Sequence, residues 1–252
     1  MKRSLKDKIA WITGAGSGIG QNAASTLSSL GMKVILSGRN EQKLKTTANQ
    51  CINETLIKPL DVADKEKVDN VSREIIQQFK SIDILINSAG TNVEHRDWDV
   101  INKNDWDKIF QINVNGLFYC CKSTLAYMKK QQDGLIINVS SWAGREVSLL
   151  SGVTYTSSKH AVNAMTETIN MKYCNIGIRA CALCPGEVAT PILDKRPKKL
   201  TIEQKNKMLQ PDDLGETIAF LCQMPKHVCI NELVISPTWH RRYIAELGIE
   251  EL

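Results

Sequence analysis

Short apolar runs alternate along almost the whole chain with longer stretches in which apolar positions recur every three or four residues. The runs Lys8–Thr13, Lys33–Ser37, Leu56–Leu60, Ile82–Asn87, Gly134–Ser140, Ile178–Leu183 and Glu232–Ser236 predict strands. Several are continuously apolar, as parallel strands covered on both faces should be, whereas a strand with one wet face would alternate. Between them, Gly18–Leu30, Glu41–Gln50, Asp64–Phe79, Asn104–Lys130, Thr154–Cys174 and Asp212–Cys222 predict helices. Asp64 and Asp105 suit an N-cap or first turn, and Gly31 suits a C-terminal stop. This alternation implies an α/β, doubly wound sheet of about seven parallel strands with helices on both faces. No repeat or linker interrupts it, so residues 1–252 are expected to form one domain.

The stretch Pro191–Pro211 breaks the rhythm, with three prolines and the cations Lys195, Arg196, Lys198 and Lys199. It follows a strand's C-terminal end, where ligands bind in open α/β sheets, so a lid at about 191–210 is one reading. A solvated loop is the other, and for the individual lysines it is preferred. With 42% hydrophobic and 23% charged residues, the chain has material for a real core, which excludes a disordered or fibrous protein. A net charge of +5 falls short of the clustered basic stripe of a nucleic-acid binder. No apolar run approaches the ~18 residues of a membrane helix, and the N-terminal MKRSLKDK is not followed by a signal-peptide core. A cytoplasmic protein with no nucleic-acid or membrane partner is expected. Cys181 and Cys184 form a C-x-x-C inside an apolar strand run without a second pair or a histidine partner. Buried thiols are the better reading for them and for Cys120 and Cys121, and no pattern implies a metal.

The first strand runs directly into Thr13-Gly14-Ala15-Gly16-Ser17-Gly18-Ile19-Gly20 and a helix. Glycines let a backbone turn tightly against a pyrophosphate, and a helix N-terminus offers unpaired N–H groups and a positive dipole end. The spacing is G-x-x-x-G-x-G, not a strict G-x-G-x-x-G. This T-G-x-x-x-G-I-G turn resembles that of the short-chain dehydrogenase/reductase family, and further motifs follow in order. Asn87-Ser88-Ala89-Gly90 resembles the family's N-N-A-G with Ser for the second Asn. Asn113 in N-x-x-G, Ser141 after the fifth strand, Tyr155-x-x-x-Lys159 and Pro185-Gly186 complete the series over roughly residues 5–235. The resemblance implies a Rossmann-like dinucleotide-binding and catalytic domain and an oxidoreductase moving hydride between a nicotinamide cofactor and an alcohol or carbonyl.

The end of the second strand bears on cofactor choice, since an acid there would hold ribose hydroxyls and an Arg a 2′-phosphate. Gly38 stands where NAD-preferring relatives carry Asp, and Arg39 follows it. NADP is therefore expected over NAD, with Ser37 and Asn40 adding hydrogen bonds, although Ser17 stands where many NADP users carry a second base. By resemblance Asp61 and Val62 contact adenine, Thr190 lies near the nicotinamide amide, and the cofactor set takes in Gly14, Gly16, Ser17, Gly18, Ile19, Gly20, Asn87, Ala89, Gly90, Pro185, Gly186 and Val188.

Tyr155 and Lys159, four apart, lie on one helix face, where an ammonium would favour the phenolate and lower the tyrosine pKa from about 10. The resemblance makes Tyr155 the proton donor, Ser141 the group that orients the substrate oxygen, and Lys159 a holder of the nicotinamide ribose. Asn113 is implied to interrupt its helix and hold a water that relays protons. Tyr155 follows Ser141 by 14 positions instead of the usual 13, which places an extra residue in the 145–154 loop. No G-x-S-x-G elbow supports a hydrolase, and His95, His160, His227 and His240 read as structural or surface groups.

The segments Pro211–Leu214 and Cys229–Thr238 resemble a subgroup of NADP-dependent reductases acting on 3-hydroxy acids and other short hydroxy acids. Trp142, Arg145, Glu187, Ile192 and Leu193 are the candidate substrate pocket, with Val147, Leu149 and Leu150 beside them. Arg145 suits either a carboxylate clamp or a surface salt bridge. A 3-oxoacyl-thioester reductase, its Lys195–Lys199 loop docking an acidic carrier protein, and a non-catalytic dinucleotide sensor are the alternatives. By resemblance the two long helices would pair across a two-fold axis, giving a homodimer or homotetramer. The tail, 237–252, forms a helix over a neighbouring subunit or over its own pocket, or is disordered.

Overall fold

A computed structural model describes residues 2–197 and 199–249. Lys198 of the basic loop and residues 250–252 of the tail lie outside them. Seven parallel strands form one sheet in the order β3-β2-β1-β4-β5-β6-β7. They are β1 Ile9–Thr13, β2 Lys33–Gly38, β3 Thr55–Pro59, β4 Ile84–Asn87, β5 Gly134–Val139, β6 Ile178–Pro185 and β7 Glu232–Ile235. The central strands β1, β4, β5 and β6 are buried along their whole length, which is why their sequences read as apolar runs without alternation.

Helices α1 (Gly18–Ser29), α2 (Glu41–Ala48) and α3 (Lys65–Phe79) connect the first four strands. Asp64 caps α3 through its carboxylate, accepting from Lys67 N at 3.1 Å. Gly31 takes φ +91 after α1, the left-handed stop its position suggested. The expected helix over 104–130 is two helices, α4 (Lys103–Phe110) and α5 (Leu117–Gln131), joined by a widened π turn at Gln111–Gly116. Asn102 caps α4 and Asp105 sits in its first turn. The chain continues with α6 (Val153–Tyr173), α7 (Ile202–Asn206), α8 (Pro211–Cys222) and α9 (Arg241–Glu246).

Two apolar layers, one on each side of the sheet, form the core. Ala24, Leu27, Leu36, Ile86, Leu183 and Ile218 pack under α1 and α8. Trp11, Ile35, Leu85, Ile136, Val162 and Ile169 pack under α3, α5 and α6. All eight cysteines are free thiols, and Cys181 and Cys184 are buried. Three positions apart on β6, they point to opposite faces of the sheet and cannot share a disulfide or an ion. The strand order reverses between β1 and β4, so their C-terminal ends open a crevice.

Candidate active site

Loops at the C-terminal edge of the sheet converge on one cleft of about 1340 Å³. That exceeds the ~300–1,000 Å³ of a single drug-sized ligand and leaves room for a dinucleotide and a second molecule. At its floor, Gly14 and Gly18 adopt φ +66 and +56. A Cβ on Gly14 would lie 2.7 Å from the backbone of Ser88 and Ala89, and one on Gly18 would lie 2.9 Å from the Thr190 methyl. The turn is thus wedged between the end of β4 and the chain after β6, a fit only glycine allows. Ser17 is the N-cap of α1, and its side chain makes no cap bond to the first-turn N–H groups. A main-chain cradle at a helix N-terminus fits a pyrophosphate. Gly16, Ser17 and Ile19 line the cleft, while Gly20 does not. A Cβ there would meet Gly14 O at 2.5 Å, so Gly20 serves the turn's own packing.

At the end formed by β2 and β3, the walls are Gly38, Arg39, Asn40, Lys43, Leu60, Asp61 and Val62. Asn40 caps α2 by accepting from Lys43 N at 2.9 Å, which leaves only its amide N–H₂ for a ligand. Ser37 does not reach the cleft: it is fully buried and accepts from the Trp11 indole at 2.9 Å. A second base, Lys43, lines this end of the cleft and was missed by the sequence reading. It follows Arg39 by four positions at the start of α2, and its Cβ stands 3.1 Å from where a Cβ of Gly16 would be. Neither Arg39 nor Lys43 makes an ion pair among the described residues.

The opposite end gathers Ala89, Gly90, Ser141, Trp142, Tyr155, Lys159, Pro185, Gly186, Glu187, Val188, Thr190, Ile192 and Leu193. Tyr155 and Lys159 share one face of α6, with the ammonium 5.5 Å from the tyrosine ring centre. The Ser141 hydroxyl interacts with the phenol and favours its ionised form. Burial prevails nonetheless and holds the Tyr155 phenol above its ordinary value, with Ser141, Arg96 and Arg196 offsetting part of the rise. The expectation that a neighbouring ammonium lowers it is therefore corrected for this structure. Lys159 is itself buried, donates to Val139 O at 2.7 Å, and is pushed down by burial to about 8.

Asn113 lies behind this wall. Its amide accepts from Thr91 N at 2.8 Å and donates to Thr91 O at 3.0 Å and to Ser158 Oγ at 3.1 Å. The π turn that carries it is the interruption expected at that residue. Asn87 is not a cleft residue. Its amide donates to Asn138 Oδ1 at 2.9 Å, and Asn138 donates to Thr166 Oγ1, a buried polar chain from β4 through β5 to α6.

Arg145 also leaves the site. A short 3₁₀ turn at Trp142–Gly144 swings it outward to pair with Glu232 at 2.7 Å. Leu149 is largely exposed and off the cleft, while Val147 and Leu150 line it. In the 191–210 segment, the Lys195 ammonium turns inward onto Thr91 Oγ1 and Arg196 pairs with Glu187. Lys195 remains exposed, whereas the Arg196 side chain is largely buried, so the basic loop imagined as a carrier-protein dock loses that one charge. Lys199 stays exposed. The tail folds over the chain's own cleft: His240, Arg241, Arg242 and Ala245 line it. His240 packs at a tilt against both Trp142 and Tyr243, each ring centre 4.3 Å away, and is buried at the cleft wall. Sequence reading missed Arg96, which is also buried on this wall.

A cleft that cradles a dinucleotide at a sheet's switch point and gathers ionisable side chains at the other end belongs to the nucleotide-dependent α/β enzymes. Residues 8–201 match the short chain dehydrogenase family, and the chain belongs to it. An uncharacterised oxidoreductase of Staphylococcus aureus (strain MRSA252) is 36% identical over 234 residues, 92% of this chain and 98% of the relative. An alcohol dehydrogenase from the archaeon Thermococcus sibiricus, complexed with 5-hydroxy-NADP, superposes with TM-score 0.84 at 26% identity, covering 94% of this chain and 99% of its own. A 3-ketoacyl-(acyl-carrier-protein) reductase from Brucella melitensis, complexed with NADH, gives TM-score 0.85 at 27% identity, covering 93% and 99%. The protein is an oxidoreductase of this family that works with a nicotinamide dinucleotide. No helix among the described residues is long and apolar enough to cross a membrane.

Proposed function

We propose that the protein interconverts a ketone and a secondary alcohol with NADP(H), using Tyr155, Ser141, Lys159 and Asn113. The observation that carries this reading is the convergence of Ser141, Tyr155 and Lys159 on one cleft whose far end is the glycine turn, with the ammonium 5.5 Å from the tyrosine ring centre. The nicotinamide supplies or accepts hydride when bound. In the reductive direction Tyr155 gives its proton to the carbonyl oxygen, and Ser141 donates a hydrogen bond that orients that oxygen beside the phenol. A phenol held above its ordinary pKa is fully protonated near neutrality and ready to donate. In this reading Lys159 holds the nicotinamide ribose hydroxyls, and Ser141, Arg96 and Arg196 are the groups that favour the phenolate left behind. Because the Asn113 amide is committed to Thr91 and Ser158, a water relay at this residue would depend on its main chain. The NADP preference rests on Arg39 and Lys43, two unpaired cations flanking the end of the cleft where a 2′-phosphate would sit.

Tyr155→Phe tests the reading. Reduction of ketones should fall by about 10²–10⁴-fold while dinucleotide binding, followed by fluorescence titration, is retained. Ketone turnover that survives the substitution refutes it, and a purely sensing role would leave the variant's biological function intact.

A further inference from the structure

We propose that Arg96 and Arg196 form an anion clamp beside Tyr155, so that the molecule reduced or oxidised in this cleft carries a carboxylate. The inference rests on the carbonyl–alcohol reading above and narrows its substrate class.

Arg96 is only 8% exposed, yet no carboxylate pairs with it among the described residues. Its guanidinium donates to two main-chain carbonyls, Leu150 O at 3.4 Å and Lys195 O, and its Nε has no partner. Arg196 is nearly as buried. One of its nitrogens meets Glu187, and the other, Nη1, has no partner. Glu187 must also serve Arg241 at 3.3 Å. Glu187 is thus divided between Arg196 and Arg241, and Arg96 has only the field of Glu94, without an ion pair, to set against its charge among the described residues. A buried charge without a counter-ion costs several kcal/mol, and two like charges add to that cost. Consistent with this, burial first and Arg196 second push the Arg96 guanidinium below its ordinary value. A substrate carboxylate would supply the missing anion, and the planar fork of arginine suits it.

Position ties the pair to the chemistry. Val153 N donates to Arg96 O at 3.3 Å, which fixes Arg96 against the start of α6, and Tyr155 is the third residue of that helix. Gly152, at φ +78, allows the approach: a Cβ there would sit 2.5 Å from the Arg96 Cβ. The fields of both arginines reach the Tyr155 phenol. Two further buried atoms on this wall lack partners, Trp142 Nε1 and His240 Nδ1, and the indole can donate to the same anion. The dinucleotide phosphates have their own cradle at the glycine turn, Arg39 and Lys43, so they do not account for this second group of cations.

The test uses the full-length protein saturated with NADPH, as wild type, Arg96→Gln, Arg96→Lys, Arg196→Gln and Arg145→Ala. Butyrate and butyramide, alike in size and different in charge, are titrated by tryptophan fluorescence and thermal shift. Turnover of acetoacetate is compared with that of its methyl ester. Wild type should bind butyrate about tenfold or more tighter than butyramide and prefer the acid over the ester by a similar factor. Both Gln variants should erase the discrimination, Arg96→Lys should restore part of it, and Arg145→Ala should keep it. If Arg96→Gln fails to fold, Arg196→Gln decides. Equal binding of the two probes, or discrimination that survives the Gln variants, overturns the clamp. Ester and acid reduced equally well, without discrimination, overturns the clamp and leaves carbonyl reduction standing. Arginine-dependent butyrate binding with neither ketone reduced supports the clamp and overturns carbonyl reduction.

Discussion

Lys159 offers a measurement that reports on the site without any substrate. Burial holds its ammonium at about 8 against an ordinary 10.5, a gap worth about 3 kcal/mol. Below pH 8 the lysine is charged in both folded and unfolded chains, and the folded state bears the whole penalty. Between 8 and 10.5 the unfolded chain binds more protons than the folded one, so stability rises with pH. From pH 7 to pH 9.5 the Lys159 contribution should improve by about 2 kcal/mol. Cys121, Cys181 and Cys222, held up to about 12, act in the opposite sense, since their thiols ionise first in the unfolded chain. Lys159→Met keeps the length of the side chain and leaves those thiols in place, so the difference between wild type and variant isolates the lysine. Urea unfolding of both proteins, stripped of dinucleotide, at pH 7 and pH 9.5 gives that difference. It should shift by about 2 kcal/mol in favour of wild type at the higher pH. A difference that stays flat, or falls, would refute the claim that burial without an ion pair holds the ammonium down.

Arg39→Ala should weaken NADPH binding by about tenfold or more with little effect on NADH, and adding Lys43→Ala should widen the loss. Equal effects on the two cofactors in fluorescence titration would show that neither side chain meets a 2′-phosphate. Gly116→Ala places a methyl 2.6 Å from a Val62 methyl carbon and should cost about 1–3 kcal/mol of stability by chemical denaturation. Truncation after Thr238 removes His240, Arg241 and Arg242 from the cleft, so KM for ketone substrates should rise while Kd for NADPH changes little. Loss of cofactor binding would show that the tail supports the glycine turn instead.

The sheet was readable from sequence because its central strands are buried on both faces and so carry unbroken apolar runs, with Trp11 and Ile86 fully enclosed. Helix ends with local signals, such as the Asp64 cap and Gly31, were equally readable. The glycine turn and the Tyr155–Lys159 pair lie within short segments whose spacing survives folding. Arg96 and Lys43 were not visible for different reasons. Arg96 makes its contacts with carbonyls 54 and 99 positions away, a relation no local pattern encodes. Lys43 reads as an ordinary helix-surface base until α2 is placed beside Gly16. Arg145 misled because it is near Ser141 in the chain, while the intervening 3₁₀ turn sends it to Glu232. Asn87 carried a familiar motif into a buried polar chain, with its side chain turned to Asn138 and away from the cleft.

The two ends of the cleft are made of different material. Gly14, Gly18 and Gly20 leave no space for a single added carbon, so the glycine turn at the dinucleotide end is written in main chain and tolerates almost no variation. The opposite wall is written in side chains borrowed from separate loops and the tail: Arg96, Trp142, Arg196, His240 and Arg241. A mutant library aimed at new substrates should therefore be confined to those five positions and their neighbours. Within it, the substrate range of the enzyme can be redrawn while the turn that holds the dinucleotide is inherited intact.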